Sequence, residues 1–272
     1  MPAPFKVACL GCSWTEGISL DNKPMPHEST YPYILSNWLK DRGNNNIMYN
    51  AGRAAAGVEY YHLVADYLIK QFNPEVFIIQ ITTYDRSILA LEPIDENEKR
   101  LNFGYDIYNN TYNKIWDNNK SLMHLSPGLG ANASKHSDET KWDGLLDKIY
   151  NERIKGIMAP EVELDSLKNS IALWWEQSRD SDYQKYFYYS NLYSLINYLE
   201  EQEKIVIPFY WLKYKPEFRT RLFPIRQYPS VEGFLGKKEF KSLTIDDGFH
   251  FGKEGHTKLV QEFLGPLIQE TM

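Results

Sequence analysis

Phe5-Lys6-Val7-Ala8-Cys9-Leu10-Gly11-Cys12-Ser13-Trp14-Thr15-Glu16-Gly17 is the stretch whose reading decides the fold. The apolar run Val7–Leu10 is a short buried strand, predicted over residues 5–12, and it enters a polar turn bracketed by Gly11 and Gly17. Glycine tolerates the backbone angles of a tight strand-to-loop bend. Ser13 therefore falls at the carboxyl end of the first strand. In open α/β sheets, sites form in the crevice outside those strand ends.

Outward from this stretch, strands and helices alternate. Tyr31, Ile34, Leu35, Trp38 and Leu39 recur at helical spacing, predicting a helix over 30–42 that ends at Gly43. Ile47–Asn50 is a second strand, followed by the small-residue turn Asn50-Ala51-Gly52-Arg53-Ala54-Ala55-Ala56-Gly57. A helix is predicted over 58–71, and a strongly apolar strand over 75–81. Strands alternating with helices favour a parallel sheet.

The pattern weakens from Leu91 to Asp180, a segment rich in Asn, Asp, Lys and aromatic residues. It reads as a large insertion of loosely packed loops within a single domain spanning 1–272, a lid or interaction surface. One helix is expected inside it at 161–178, including Trp174 and Trp175. Beyond it, a helix is predicted over 182–202 and a strand over 204–211. Pro208 inside that strand argues for a bulge or a position near its end. Residues 213–242 read mostly as loop, and a closing helix spans 254–269. The expected sheet has four or five parallel strands.

Composition narrows the function. Hydrophobic residues are 43% of 272, so a packed core is expected, and aromatics reach 15%. The net charge is −6 and no basic block stands out, which argues against nucleic acid as a partner. No apolar run has transmembrane length, so no membrane partner is expected. The N-terminal residues lack the pattern of a secretory signal. The expectation is a cytoplasmic or otherwise soluble protein, with an extracellular or particle-associated role left open. Cys9 and Cys12 form a CxxC spacing, but Cys9 lies within the strand and no further ligand completes a metal set. They read as reduced structural thiols. No metal or organic cofactor is expected.

Nucleophilic serine chemistry needs a hydroxyl, a base, a group that orients the base, and donors aimed at the oxyanion. Ser13 supplies the hydroxyl and His250, in Asp246-Asp247-Gly248-Phe249-His250, the base. Asp247 lies three residues before His250, and Asp246 is its neighbour; spacing alone does not choose between them. Ser13 alone reads first as a cap of the turn or helix after the strand, and its pairing with the Asp247/His250 block turns the reading to catalysis. His256 reads as a packing or capping residue of the last helix. Trp14 reads as pocket lining or core, and Arg53 and Arg86 as surface pairs or pocket rim.

Gly11-Cys12-Ser13 resembles the Gly-Asp-Ser block of the SGNH (GDSL) hydrolase family, with Cys12 in place of Asp. Asp247-Gly248-Phe249-His250, followed by Gly255-His256, resembles the family's last block. The resemblance covers about residues 5–86 and 182–270. It implies a three-layer α/β/α, flavodoxin-like parallel sheet. It also implies a triad of Ser13, His250 and Asp247. The family's second block places a glycine amide in the oxyanion hole, and that position falls on Ala55, with Gly52 and Gly57 close by. The third block supplies an Asn side chain after Gly-x. Here Thr82 stands at the glycine and Tyr84 at the Asn, so the Asn donor is absent and a Thr hydroxyl or the Tyr84 phenol takes its place. The oxyanion set is thus Ser13, Ala55, Thr82 and Tyr84.

The implied function is a serine esterase or acetylesterase acting on a carboxylic ester, an O-acetylated carbohydrate among the candidates. The substrate partner is a small-molecule or carbohydrate ester. The alternative is a catalytically impaired module on the same fold that binds a glycan or a protein.

Overall fold

A computed structural model describes residues 3–17, 25–83, 86–90, 103–109, 111–117, 122–125, 173, 182–213, 228–245 and 250–271. Tyr84, Asp246 and Asp247 lie outside the described residues, as do Trp174, Trp175 and all but one residue of the helix expected at 161–178.

β1 (Phe5–Gly11) leads into a single helical turn, α1 (Ser13–Glu16). α2 (Tyr31–Asp41), β2 (Asn46–Gly52), α3 (Val58–Phe72) and β3 (Val76–Ile81) follow. Asn73 closes α3 in the left-handed region, its amide reaching the Leu68 and Ile69 carbonyls. The next strands are β4 (Ser87–Ala90), β5 (Phe103–Asn109), β6 (Tyr112–Asp117) and β7 (Leu122–Leu125). α4 (Asp182–Glu201) and β8 (Ile205–Tyr210) return to the main sheet. Two short helices, α5 (Val231–Leu235) and α6 (Lys237–Ser242), precede the C-terminal helix. That helix begins as α7 (Lys253–Lys258), loosens to π-helical winding over Leu259–Leu264, and ends as α8 (Gly265–Thr271).

The main sheet has six strands in the order β5-β6-β2-β1-β3-β8. All neighbours pair in parallel except β5, which is antiparallel to β6. β1 alternates across the sheet. Ala8 and Leu10 pack against α3 and α4 on one face, while Val7 and Cys9 pack against α2 and the C-terminal helix on the other. The result is three layers, α/β/α. Strands β2, β1, β3 and β8 stand in the flavodoxin-like order 2-1-3-4, whose switch point lies between β1 and β3. The carboxyl end of β1, where Ser13 begins, opens at that switch point.

Three expectations are corrected. The sheet has six strands rather than four or five, because β5 and β6 arise inside the segment read as loops and extend it beyond β2. Residues 231–242 are largely helical rather than loop; five- and six-residue helices are too short to show a period. Pro208 occupies the middle of β8 without a bulge, opposite Ile79. β8 is the last strand of the described sheet, where a missing amide interrupts no ladder.

Candidate active site

Ser13 and His250 meet. Ser13 Oγ lies 2.8 Å from His250 Nε2, across 237 residues of chain. Ser13 is held at the start of α1, and His250 follows β8 and the two short helices, buried at 6% exposure. The backbone around His250 is pinned: its carbonyl accepts the Ile245 amide at 2.7 Å, and Thr244 bridges Phe251. Trp14 forms a wall. Its ring stands edge-on to the imidazole at 5.8 Å between centroids and packs on Trp211 at 4.1 Å. Asp247, the carboxylate expected to orient His250, lies outside the described residues.

The turn carrying Ser13 is fixed by side chains from the two neighbouring strands. Gln80, 2% exposed on β3, accepts the Cys12 amide at 3.0 Å and the Thr15 hydroxyl at 2.8 Å through one carbonyl oxygen. Its amide nitrogen donates to Cys12 Sγ at 3.2 Å. Thr15 Oγ1 lies 3.1 Å from the Tyr31 hydroxyl. Asn50, buried on β2, donates to the Thr15 carbonyl at 2.9 Å and accepts the Gly52 amide at 3.0 Å. Two glycines make this approach possible. A Cβ on Gly11 would stand 1.8 Å from Thr15 Oγ1, and one on Gly52 would stand 2.3 Å from the Glu16 amide nitrogen. Sequence reasoning missed Gln80, Asn50 and Glu16. The available signal was a polar residue near the end of an otherwise apolar strand, in Val76–Ile81 and again in Asn46–Gly52.

The residues expected to serve the oxyanion are placed as follows. Ser13 occupies the first turn of α1, where a backbone amide has no intrahelical acceptor. Among the described residues its amide has no acceptor, while the Cys12 amide is already spent on Gln80. Ala55 has φ of +61°, in the left-handed region that glycine favours. The Ala55 amide likewise has no acceptor among the described residues, whereas those of Arg53, Ala54 and Ala56 are all bonded. Thr82 is buried. Its carbonyl accepts the Tyr188 hydroxyl at 2.6 Å, and its own hydroxyl has no partner among the described residues. Tyr84 lies outside the described residues.

Other titratable groups fall into place. His256 is buried between Tyr31, Trp211 and Phe251, as a packing residue should be. Burial, with a smaller push from His250, lowers its pKa to about 3, so it stays neutral. Cys9 and Cys12 are both buried free thiols, and burial pushes the Cys9 pKa far up. Among the described residues no cluster of His, Cys, Asp or Glu could hold a metal ion. Among them, too, no helix is long and apolar enough to cross a membrane.

No family model matches the chain, and no curated protein matches it. Solved structures do. The psychrotrophic esterase EstA from Pseudoalteromonas sp. is 11% identical, with a TM-score of 0.45 over 98% of this chain and 97% of that one. AlinE4, an SGNH-hydrolase family esterase, is also 11% identical, with a TM-score of 0.40 over 100% and 99% of the two chains.

Proposed function

We propose that this protein is a serine ester hydrolase with Ser13 as nucleophile. The observation that carries the reading is the 2.8 Å contact between Ser13 Oγ and His250 Nε2 at the switch point of a parallel sheet. A hydroxyl at that distance can pass its proton to a neutral imidazole as the oxygen attacks a carbonyl. In this reading the Ser13 Oγ–carbon bond forms and the carbonyl oxygen becomes an oxyanion. The Ser13 and Ala55 amides receive that oxyanion, with the Thr82 hydroxyl and Tyr84 as further candidate donors. His250 then returns the proton to the departing alkoxide as the ester bond breaks. Water, deprotonated by His250, releases the acid from the acyl-serine. Asp247 holds the imidazole in the tautomer that leaves Nε2 free to accept. The substrate is a carboxylic ester, and an O-acetylated carbohydrate suits the aromatic wall at Trp14.

The second reading, a module that binds a glycan or protein without turnover, is favoured by one observation. Tyr105, Ile107, Tyr108 and Trp116 are exposed on β5 and β6, Tyr105 beside Phe72 on one face of the sheet and Tyr108 beside His27 and Tyr112 on the other.

The test is hydrolysis of p-nitrophenyl acetate and butyrate by wild type, Ser13→Ala and His250→Ala, with fluorophosphonate labelling read by intact mass. Turnover lost in both variants and one adduct on Ser13 is the expected result. A folded wild type with neither turnover nor adduct refutes the hydrolase reading and leaves the binding module.

A further inference from the structure

α1 carries Ser13 at its first position and Glu16 at its last. The Glu16 side chain is 11% exposed, and its two oxygens face different partners. Oε2 accepts the Ala54 amide, immediately before the left-handed Ala55. Oε1 faces the Arg53 guanidinium and the Lys114 ammonium, each at 3.8 Å. Lys114 reaches in from β6 and also donates to the carbonyls of Glu16, at 3.3 Å, and Gly52, at 3.5 Å. The Arg53 amide is bonded to the Gly11 carbonyl at 2.9 Å. One carboxylate thus ties the nucleophile's helix to the turn whose next amide has no acceptor among the described residues.

We propose that Glu16 is a positioning residue of the ester-hydrolysing site, clamping the Ala54–Ala55 turn to the Ser13 helix with the partly buried Lys114 as its counter-ion. The inference rests on the hydrolase reading and extends it. The oxyanion donors sit on two separate pieces of backbone, one after β1 and one after β2. The distance between those pieces decides whether both amides reach one oxygen. A neutral packing residue at position 16 would fill the space but leave the Ala54 amide without an acceptor and Lys114 with carbonyls but no counter-charge. Burial lowers the Lys114 pKa to about 8, against the pull of Glu16 and with a push from Arg53. A buried cation placed there has its electrostatic reason in the carboxylate.

The experiment compares wild type, Glu16→Gln, Glu16→Ala and Lys114→Met. It reads kcat and KM for p-nitrophenyl acetate and amide hydrogen exchange by mass spectrometry over 51–57, with 76–81 as the control strand. In Glu16→Ala, kcat is expected to fall roughly 10- to 100-fold with KM nearly unchanged, since an ångström of misplacement costs on that order. Exchange over 51–57 rises while 76–81 keeps its protection. Glu16→Gln, which retains an acceptor for the Ala54 amide, restores most of kcat. Lys114→Met keeps the carboxylate and loosens 51–57, giving a second arm if Glu16→Ala does not fold. Wild-type exchange over 51–57 in either Glu16→Ala or Lys114→Met overturns the clamp. So does a loss of protection spread equally to 76–81. If the folded wild type turns over no ester and takes no phosphonate, the hydrolase reading falls. Exchange alone then decides the clamp by the same criteria.

Discussion

Replacing Gln80 by Met removes the acceptor that holds the Ser13 turn while keeping a long, unbranched side chain. The cost can be counted from the donors left behind. The Cys12 amide, bonded to Gln80 at 3.0 Å, belongs to the backbone and cannot turn elsewhere. The Thr15 hydroxyl, now at 2.8 Å from Gln80, can rotate toward the Tyr31 hydroxyl at 3.1 Å, but the Tyr31 hydrogen then loses its own acceptor. The Cys12 amide is stranded whichever way the hydroxyls point, and the Tyr31 hydrogen keeps only the weak Cys9 sulfur to turn to. At about 1–3 kcal/mol for each unsatisfied buried group, one such group and a second weakly paired one should destabilise Gln80→Met by about 1–6 kcal/mol. The companion variant Thr15→Val removes one of those donors. In the double variant the two costs should fall short of additivity by about 1 kcal/mol or more, because the stranded hydroxyl no longer exists. Urea unfolding followed by tryptophan fluorescence measures all four corners of the cycle. Strict additivity, or a loss below about 1 kcal/mol in Gln80→Met, would refute the claim that Gln80 anchors the Ser13 turn.

Two further expectations are narrower. His256 has its pKa lowered by burial from 6.5 to about 3, so between those values the unfolded chain binds a proton that the folded chain does not. Stability from this group is complete above pH 6.5 and is lost as pH falls toward 3, by about 1.4 kcal/mol per pH unit at most. His256→Phe should flatten that part of the curve in urea titrations at pH 4, 5 and 7, and an unchanged slope would refute it. Gly52→Ala places a methyl 2.3 Å from the Glu16 amide, and backbone must move to admit it. Activity toward p-nitrophenyl acetate should drop by roughly 100-fold, and wild-type kcat in this variant would count against the close packing of the two turns.

The parts of the site that could be read from the chain were those whose residue types are tied to their neighbours. Ser13 follows a buried strand and a glycine, and His250 follows Asp247 at a spacing that chemistry explains. Gln80 and Asn50 had no such context. An amide in a mostly apolar strand says that something polar is buried, but its partner is chosen by which strands become neighbours. That choice depends on the order β2-β1-β3, which emerges only from the whole sheet. Glu16 and Lys114 meet across 98 residues for the same reason. β6 was hidden for a different one. Tyr112, Asn113 and Ile115 are all buried and Lys114 partly so, so Tyr112–Asp117 lacks the alternation that marks a half-exposed strand. The small-residue turn after β2 was visible as a place for close backbone approach, yet only the positive φ of Ala55 picks out one residue within it.

The wide separation of Ser13 and His250 has a consequence for synthesis. A ribosome adding about 5–20 residues each second needs on the order of ten to fifty seconds to make the 237 residues between them. Throughout that interval the serine exists without the imidazole that would activate it. If the hydroxyl is the nucleophile, the nascent chain is chemically silent until its last helices have left the tunnel and docked beneath β1. Turnover would then report on completion of the whole domain, and no truncated product of translation could show it.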